Sequence, residues 1–241
     1  MTDRPTVLVP IRVLEGESIP DGVPELLADA HVVLLGYHEI PEQTAANQAR
    51  QQFEESAMAR LETFEELLVD AGATADTHLV FTHEPQQTID RTIYEHECLA
   101  VLVPNSTKPI DDVLVAIRGT VGLDRLVRLL TGLFATQDVN VTLFHVAGED
   151  ETDQDVETLL EGISGRLVEG GFDPSEIAIE SSRDGTPQSA IIEAAEDFDV
   201  IVMGESDPSI ATFVFGMRAK QVANRFLGPV LIVQRERPAE E

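Results

Sequence analysis

The sequence predicts an α/β protein of two doubly wound parallel sheets in tandem, and two observations carry that expectation. Short runs of Val, Ile and Leu alternate with longer stretches of helical periodicity, and the alternation occurs twice in the same order. A run that is apolar on both faces is what a strand looks like when helices cover both sides of a parallel sheet. An ordered βα alternation winds right-handedly into such a sheet.

In the first half, strands are expected over 6–11, 31–37, 77–82 and 99–104. The clearest helix is expected over 44–71, with Phe53, Ala57, Leu61, Phe64, Leu67 and Leu68 at helical spacing and Gly72 as its stop. A second runs from Pro85 to Glu97, with Ile89, Ile93 and Tyr94 on one stripe. The second half gives strands over 112–117, 140–146, 177–180, 200–203 and 229–233. Its helices are expected over 123–134, 156–169 (ended by Gly170-Gly171), 187–196 and through 220–226.

The halves align element by element. Val7-Leu8-Val9-Pro10-Ile11-Arg12 lies over Val113-Leu114-Val115-Ala116-Ile117-Arg118, and Pro85-Gln86-Gln87 over Pro187-Gln188-Ser189. Residues 99–103 match 199–203. Residues 33–38 match 141–145 with one residue of slack, which sets His38 and His145 at equivalent strand ends. The first copy passes from its fourth strand directly into the next repeat, so the expected division is 1–109 and 110–241. The first unit then has four strands and an exposed edge, which a partner domain or a second chain must cover.

Composition narrows the function classes. Against 44 Asp+Glu stand 16 Lys+Arg, a formal net charge of -28, and only Lys108 and Lys220 are lysines. Binding nucleic acid needs clustered cations to release counterions, so a nucleic-acid partner is not expected. A carboxylate-covered, lysine-poor surface suits a high-salt cytoplasm, where screening limits self-repulsion. No apolar run approaches the ~20 residues that span a bilayer. Met1-Thr2-Asp3-Arg4-Pro5 lacks a basic-then-apolar leader. A cytoplasmic protein without membrane insertion is the expectation.

Catalytic signatures do not emerge. The single cysteine, Cys98, lies between Glu97 and Leu99 with no basic neighbour, and reads as a buried inert thiol. The six histidines (His31, His38, His78, His83, His96 and His145) show no metal-site spacing. No G-x-S-x-G elbow occurs. The acidic stretch 149–157 lacks the EF-hand pattern and reads as a helix entry. A metal and an enzymatic activity are therefore not expected.

Over essentially its whole length the second half resembles the universal stress protein family. The likeness is carried by 113–117, Leu143-Phe144-His145-Val146, Asp184-Gly185-Thr186-Pro187, 190–195, Asp199-Val200-Ile201-Val202-Met203-Gly204 and Gly228-Pro229-Val230-Leu231-Ile232-Val233. The first half looks like a truncated, more diverged relative. The resemblance implies two adenine nucleotide alpha hydrolase-like units in tandem, mimicking the family's usual homodimer.

Nucleotide-binding members carry G-x2-G-x9-G-[ST] after the fourth strand, where backbone N–H groups close on phosphate. Here Gly204 holds the first position, Asp207 replaces the second glycine, Gly216 arrives one residue early, and Met217 replaces the hydroxyl residue. A carboxylate in that cradle repels phosphate, and a Cβ blocks close approach. The implied site, in degenerate form, is Arg118, Val146, Gly204, Gly216 and Met217. The family's Asp at the end of the first strand is replaced by Arg12 and Arg118. Two readings are open for them: binding a small anion, or pairing with a neighbouring acid, across the two domains included.

The resemblance implies a non-catalytic stress-response or regulatory protein without a cofactor, ATP or another adenine nucleotide being the alternative ligand. The rival readings are a nucleotide- or small-anion-sensing module and a soluble partner of a membrane transporter. Self-association through sheet edges is expected, with 229–233 free to pair with another chain. The apolar run Ile210, Phe213, Val214 and Phe215 is expected to pack under the missing parts of the first unit, a partner surface being the alternative.

Overall fold

A computed structural model describes residues 4–117, 122–184, 186–204 and 228–235. The strands are β1 (Thr6–Arg12), β2 (His31–Glu39), β3 (Thr74–Thr82), β4 (Ala100–Val103), β5 (Asp112–Ile117), β6 (Asn140–Val146), β7 (Ile177–Ser182), β8 (Val200–Gly204) and β9 (Val230–Val233). The helices are α1 (Val23–Leu26), α2 (Ala46–Asp70), α3 (Pro85–Glu95), α4 (Leu123–Phe134), α5 (Asp153–Glu169) and α6 (Pro187–Ala194). A short 3-10 turn, Ala195–Asp197, follows α6, where the sequence predicts continuous helix.

All nine strands form one sheet, ordered β3-β2-β1-β4-β9-β8-β5-β6-β7. This corrects the expectation of two separate parallel sheets. Every pair is parallel except β4 and β9, which run antiparallel with Ala100 opposite Val233 and Val103 opposite Val230. On its other side β9 pairs parallel with β8, Val230 facing Ile201 and Val233 facing Gly204. Read inward from either edge, the order is the same until it meets β9. The strand expected to seek a partner chain is therefore saturated on both sides within this one, because the first half lacks the strand that would otherwise shield β4.

Alternation along the strands sorts the side chains to two faces. Val7, Val9 and Ile11 of β1, with Val113, Val115 and Ile117 of β5, enter one apolar cluster that crosses both halves. Leu26 of α1, Leu61 and Leu68 of α2, Leu129 to Phe134 of α4 and Leu160 and Leu167 of α5 cover it. Leu8 packs on the opposite face in a cluster with Ile89 of α3, and Leu114 in one with Ile191 of α6. Burying a Leu or Phe fully contributes about 1.5–3 kcal/mol, so the shared face dominates cohesion.

The halves also touch off the sheet. A Cβ added at Gly132 of α4 would stand 2.6 Å from Cδ of Pro5, so α4 lies directly on the entry to β1. The Arg125 guanidinium donates to the Cys98 carbonyl, and the Gln234 N–H donates to the Leu99 carbonyl at 2.8 Å. Asn105 donates to the Gly228 carbonyl at 3.1 Å.

Helix ends follow the sequence closely. At α2 the Ala73 N–H bonds the Leu68 carbonyl and the Gly72 N–H bonds that of Val69; Phe172, Gly171, Leu167 and Val168 repeat the pattern at α5. Both closures need a left-handed residue, and Gly72 and Gly171 supply φ of 115° and 113°. At α3 the same closure, Cys98 N–H to Ile93 and Glu97 N–H to Tyr94, falls on Glu97 at φ 49°. A side chain in that region costs about 1–2 kcal/mol. Glu97→Gly is therefore expected to raise stability by about 1 kcal/mol, seen as a higher urea midpoint at unchanged slope; an unchanged or lower midpoint would contradict the strain.

Candidate functional site

In a parallel sheet, ligands approach the carboxyl ends of strands. Because β4 and β9 are antiparallel, the carboxyl ends of β1, β2 and β3 lie at one end of the sheet and those of β5, β6 and β8 at the other. The carboxyl ends of β1 and β5 are thus at opposite ends of the sheet.

In the first half, Arg12 closes β1 opposite Tyr37. Its Nη1 donates to Glu15 at 3.2 Å, its Nε lies 3.2 Å from Glu17, and its backbone N–H donates to Glu17 at 2.7 Å. Gly16, at φ 82°, turns the chain so that both carboxylates return to the guanidinium. Arg60 of α2 donates to the Glu17 carbonyl at 2.9 Å. Local ion pairing is the reading that applies to Arg12.

In the second half, Val146 ends β6 and Gly204 ends β8, so both lie on one edge of the sheet. Gly204 faces Val233, while Val146 is half-buried against the cluster that includes Phe144 and Ile191. Arg118, Asp207, Gly216 and Met217, like the expected helix through 220–226 and the apolar run Ile210 to Phe215, lie outside the described residues.

The same edge holds a cluster that sequence reasoning missed. His145 is 1% exposed and lies opposite Ile117. Its Nδ1 is 2.9 Å from the Ile117 carbonyl oxygen and its Nε2 is 3.0 Å from Oε2 of Glu151. That same oxygen accepts the Gly148 N–H at 2.6 Å. The Gly148 bond, then the His145 bond, hold the Glu151 carboxyl below its usual range. Arg183 donates to the Gly148 carbonyl at 3.3 Å, the Glu151 carbonyl at 2.9 Å and Asp153 at 2.8 Å. Thr152 caps α5 through a reciprocal bond with Asp155, the helix entry expected of this acidic stretch. The Thr152-x-x-Asp155 spacing signals the cap; nothing in the sequence signals that Glu151 turns back onto His145.

The register also moves the partner of His145 in the sequence alignment by two residues. Ile117 faces His145, whereas Ile11 faces Gly36, so His145 corresponds to Gly36 and not to His38. His38 instead sits edge-on to Phe53 and Phe81, at 5.9 and 6.1 Å between ring centres. His78 packs against His96 at 4.4 Å, and burial followed by the His96 charge pushes its proton affinity down. His83 bonds the Ile40 carbonyl. Among the described residues no group of three His, Cys, Asp or Glu could hold a metal ion, and no helix is long and apolar enough to cross a membrane.

Solved structures match this chain along nearly its whole length. A universal stress protein from Archaeoglobus fulgidus superposes with a TM-score of 0.63 at 20% identity, covering 95% of this chain and 96% of its own. The fold is that of a universal stress protein. A Pseudomonas aeruginosa protein placed provisionally in the same family matches over 97% of this chain and 94% of its own, at 17% identity and a TM-score of 0.49. No family profile and no curated protein sequence matches.

Within this universal-stress-type fold, Cys98 is fully buried, and burial pushes its thiol up to about 12. Only about one thiol in ten thousand is then ionised at pH 8, so it is a poor nucleophile. Disulfide-exchange labelling at pH 8 is expected to be at least about a hundredfold slower in the folded protein than in urea; equal rates would contradict the burial.

Proposed function

We propose that the protein is a non-catalytic regulatory protein of the universal stress type, made of two units, 1–109 and 110–241, that share β9. The observation that carries this reading is the state of Arg12. The cation at the end of β1 is already bonded to Glu15 and Glu17, so receiving phosphate there would mean displacing two carboxylates. The second unit carries Asp207 where a phosphate cradle needs glycine. The acidic surface fits a high-salt cytoplasm, and any self-association falls to β3 or β7, since β4 and β9 are occupied.

Thermal unfolding in molar salt, with and without millimolar ATP, AMP and cyclic AMP, tests the reading. A ligand at a hundred times its Kd stabilises by about 2.7 kcal/mol, roughly 5–10 °C for a chain of this size. No shift with any nucleotide is expected. A shift of that size, lost in Arg118→Ala, would overturn the proposal and establish a sensing module that binds through Arg118, Val146, Gly204, Gly216 and Met217.

A further inference from the structure

The sheet ends in two strands with one neighbour each, β3 and β7. We propose that the free edge of β3 pairs antiparallel with β3 of a second copy of this chain, across a two-fold axis at Thr77. The inference does not depend on whether the protein binds a nucleotide.

Two bonds fix which backbone groups of β3 face outward. The Thr74 N–H donates to the Ala30 carbonyl at 3.1 Å, and the Thr82 carbonyl accepts the Ile40 N–H at 2.9 Å, so both residues bond inward to the β2 side. The register with β2 runs unbroken from Thr74 to Thr82. In a parallel ladder, residues that bond inward alternate with residues whose N–H and C=O both point away. Ala75, Thr77, Leu79 and Phe81 therefore present their backbone groups at the edge. An antiparallel partner joins them only in registers that set these residues opposite one another.

Charge selects among those registers. Asp76 and His78 lie on the same face of β3 as Val80, which packs with Ile89 of α3. The Asp76 side chain is 62% exposed. His78 rests on His96 with its Nε2 buried and without a hydrogen-bond partner, which leaves Nδ1 to meet a new one. An axis at Thr77 sets Asp76 of each copy opposite His78 of the other, in the pairs where side chains approach most closely. Moving the axis to Asp76 opposes two carboxylates, and moving it to His78 opposes two imidazoles. The other edge offers no such match, since β7 carries Glu180 and no basic residue. Pairing β3 with β3 also closes on two copies, whereas pairing β3 with β7 would string copies into a fibre.

One group opposes the contact. Glu65 of α2 accepts the Thr77 hydroxyl at 2.6 Å, so the axis brings two like carboxylates together. Each chain also carries a formal net charge of -28. Salt screens both repulsions, so association is expected to grow with salt.

Sedimentation equilibrium of the full chain tests this. The expected mass is that of two copies in molar salt and of one at low salt. Thr77→Pro removes an outward N–H and none that bonds β2, and is expected to stay a single copy in molar salt. For the register, Thr77→Cys is expected to form a disulfide-linked dimer under mild oxidation, while Ala75→Cys does not. Facing residues at the axis lie within disulfide reach; two Ala75 residues, each facing Leu79 of the other copy, do not. A single copy at every salt and protein concentration would overturn the proposal. So would a dimer that survives Thr77→Pro, whether it then yields to Ile179→Pro on β7 or not, or equal cross-linking at 75 and 77. Should Thr77→Pro not fold, the two cysteine variants decide.

Discussion

Everything in this fold rests on the double pairing of β9. Four residues, Val230 to Val233, bond β8 on one side and β4 on the other. Leu231 and Val233 are buried with the face that both halves share, and Ile232 with the opposite one. Without that strand, β4 and β8 would each present a row of unpaired backbone groups, which a sheet cannot leave buried and dry. One strand thus does what two would do in a pair of complete units, and it can be parallel to only one neighbour. That constraint turns the halves head to tail and sends their ligand-facing edges to opposite ends of the sheet.

The two ends of the sheet carry different groups. On the first, α1 is a single turn and Gly36 admits Leu61, so the space above the strand ends is apolar. Arg12 is drawn into a local ion pair by a tight turn at Gly16. On the second, α4 runs three turns, reaches back to Pro5 and Cys98, and so contributes to holding the halves together. There the matching strand position carries His145, which bonds Glu151, and the loop that follows is braced by Arg183. The two edges share a fold position and little chemistry.

Much of this was legible in the sequence wherever burial is symmetric about an element. β5, α4 and β6 have the expected bounds, because their apolar runs are unbroken and their flanks polar. Gly72 and Gly171 announced the ends of α2 and α5, since only glycine relaxes in the conformation those closures need. Other features rest on contacts that no local pattern encodes. β3 begins at Thr74 rather than 77, because an edge strand is held by backbone bonds to β2 while its side chains stay wet and polar. α1 is too short for periodicity to register. The antiparallel β4–β9 pair depends on residues 127 to 133 apart, and the two-residue shift to Gly36 emerges only from strand register. The Glu151–His145 contact needs the loop to double back. Of the candidate site, Val146 and Gly204 were legible as strand ends at one end of the sheet; the His145–Glu151 contact beside them was not.

Native-state hydrogen exchange across a urea series tests the central claim most directly, since it reads whether the halves open as one unit. If β9 joins them into a single cooperative sheet, amides of β1, β4, β5 and β8 converge on the same opening free energy and the same urea dependence. If instead the amides of β1 and β4 open in a separate, cheaper step while β5 and β8 stay protected, the halves are independent and β9 is not the element that unites them.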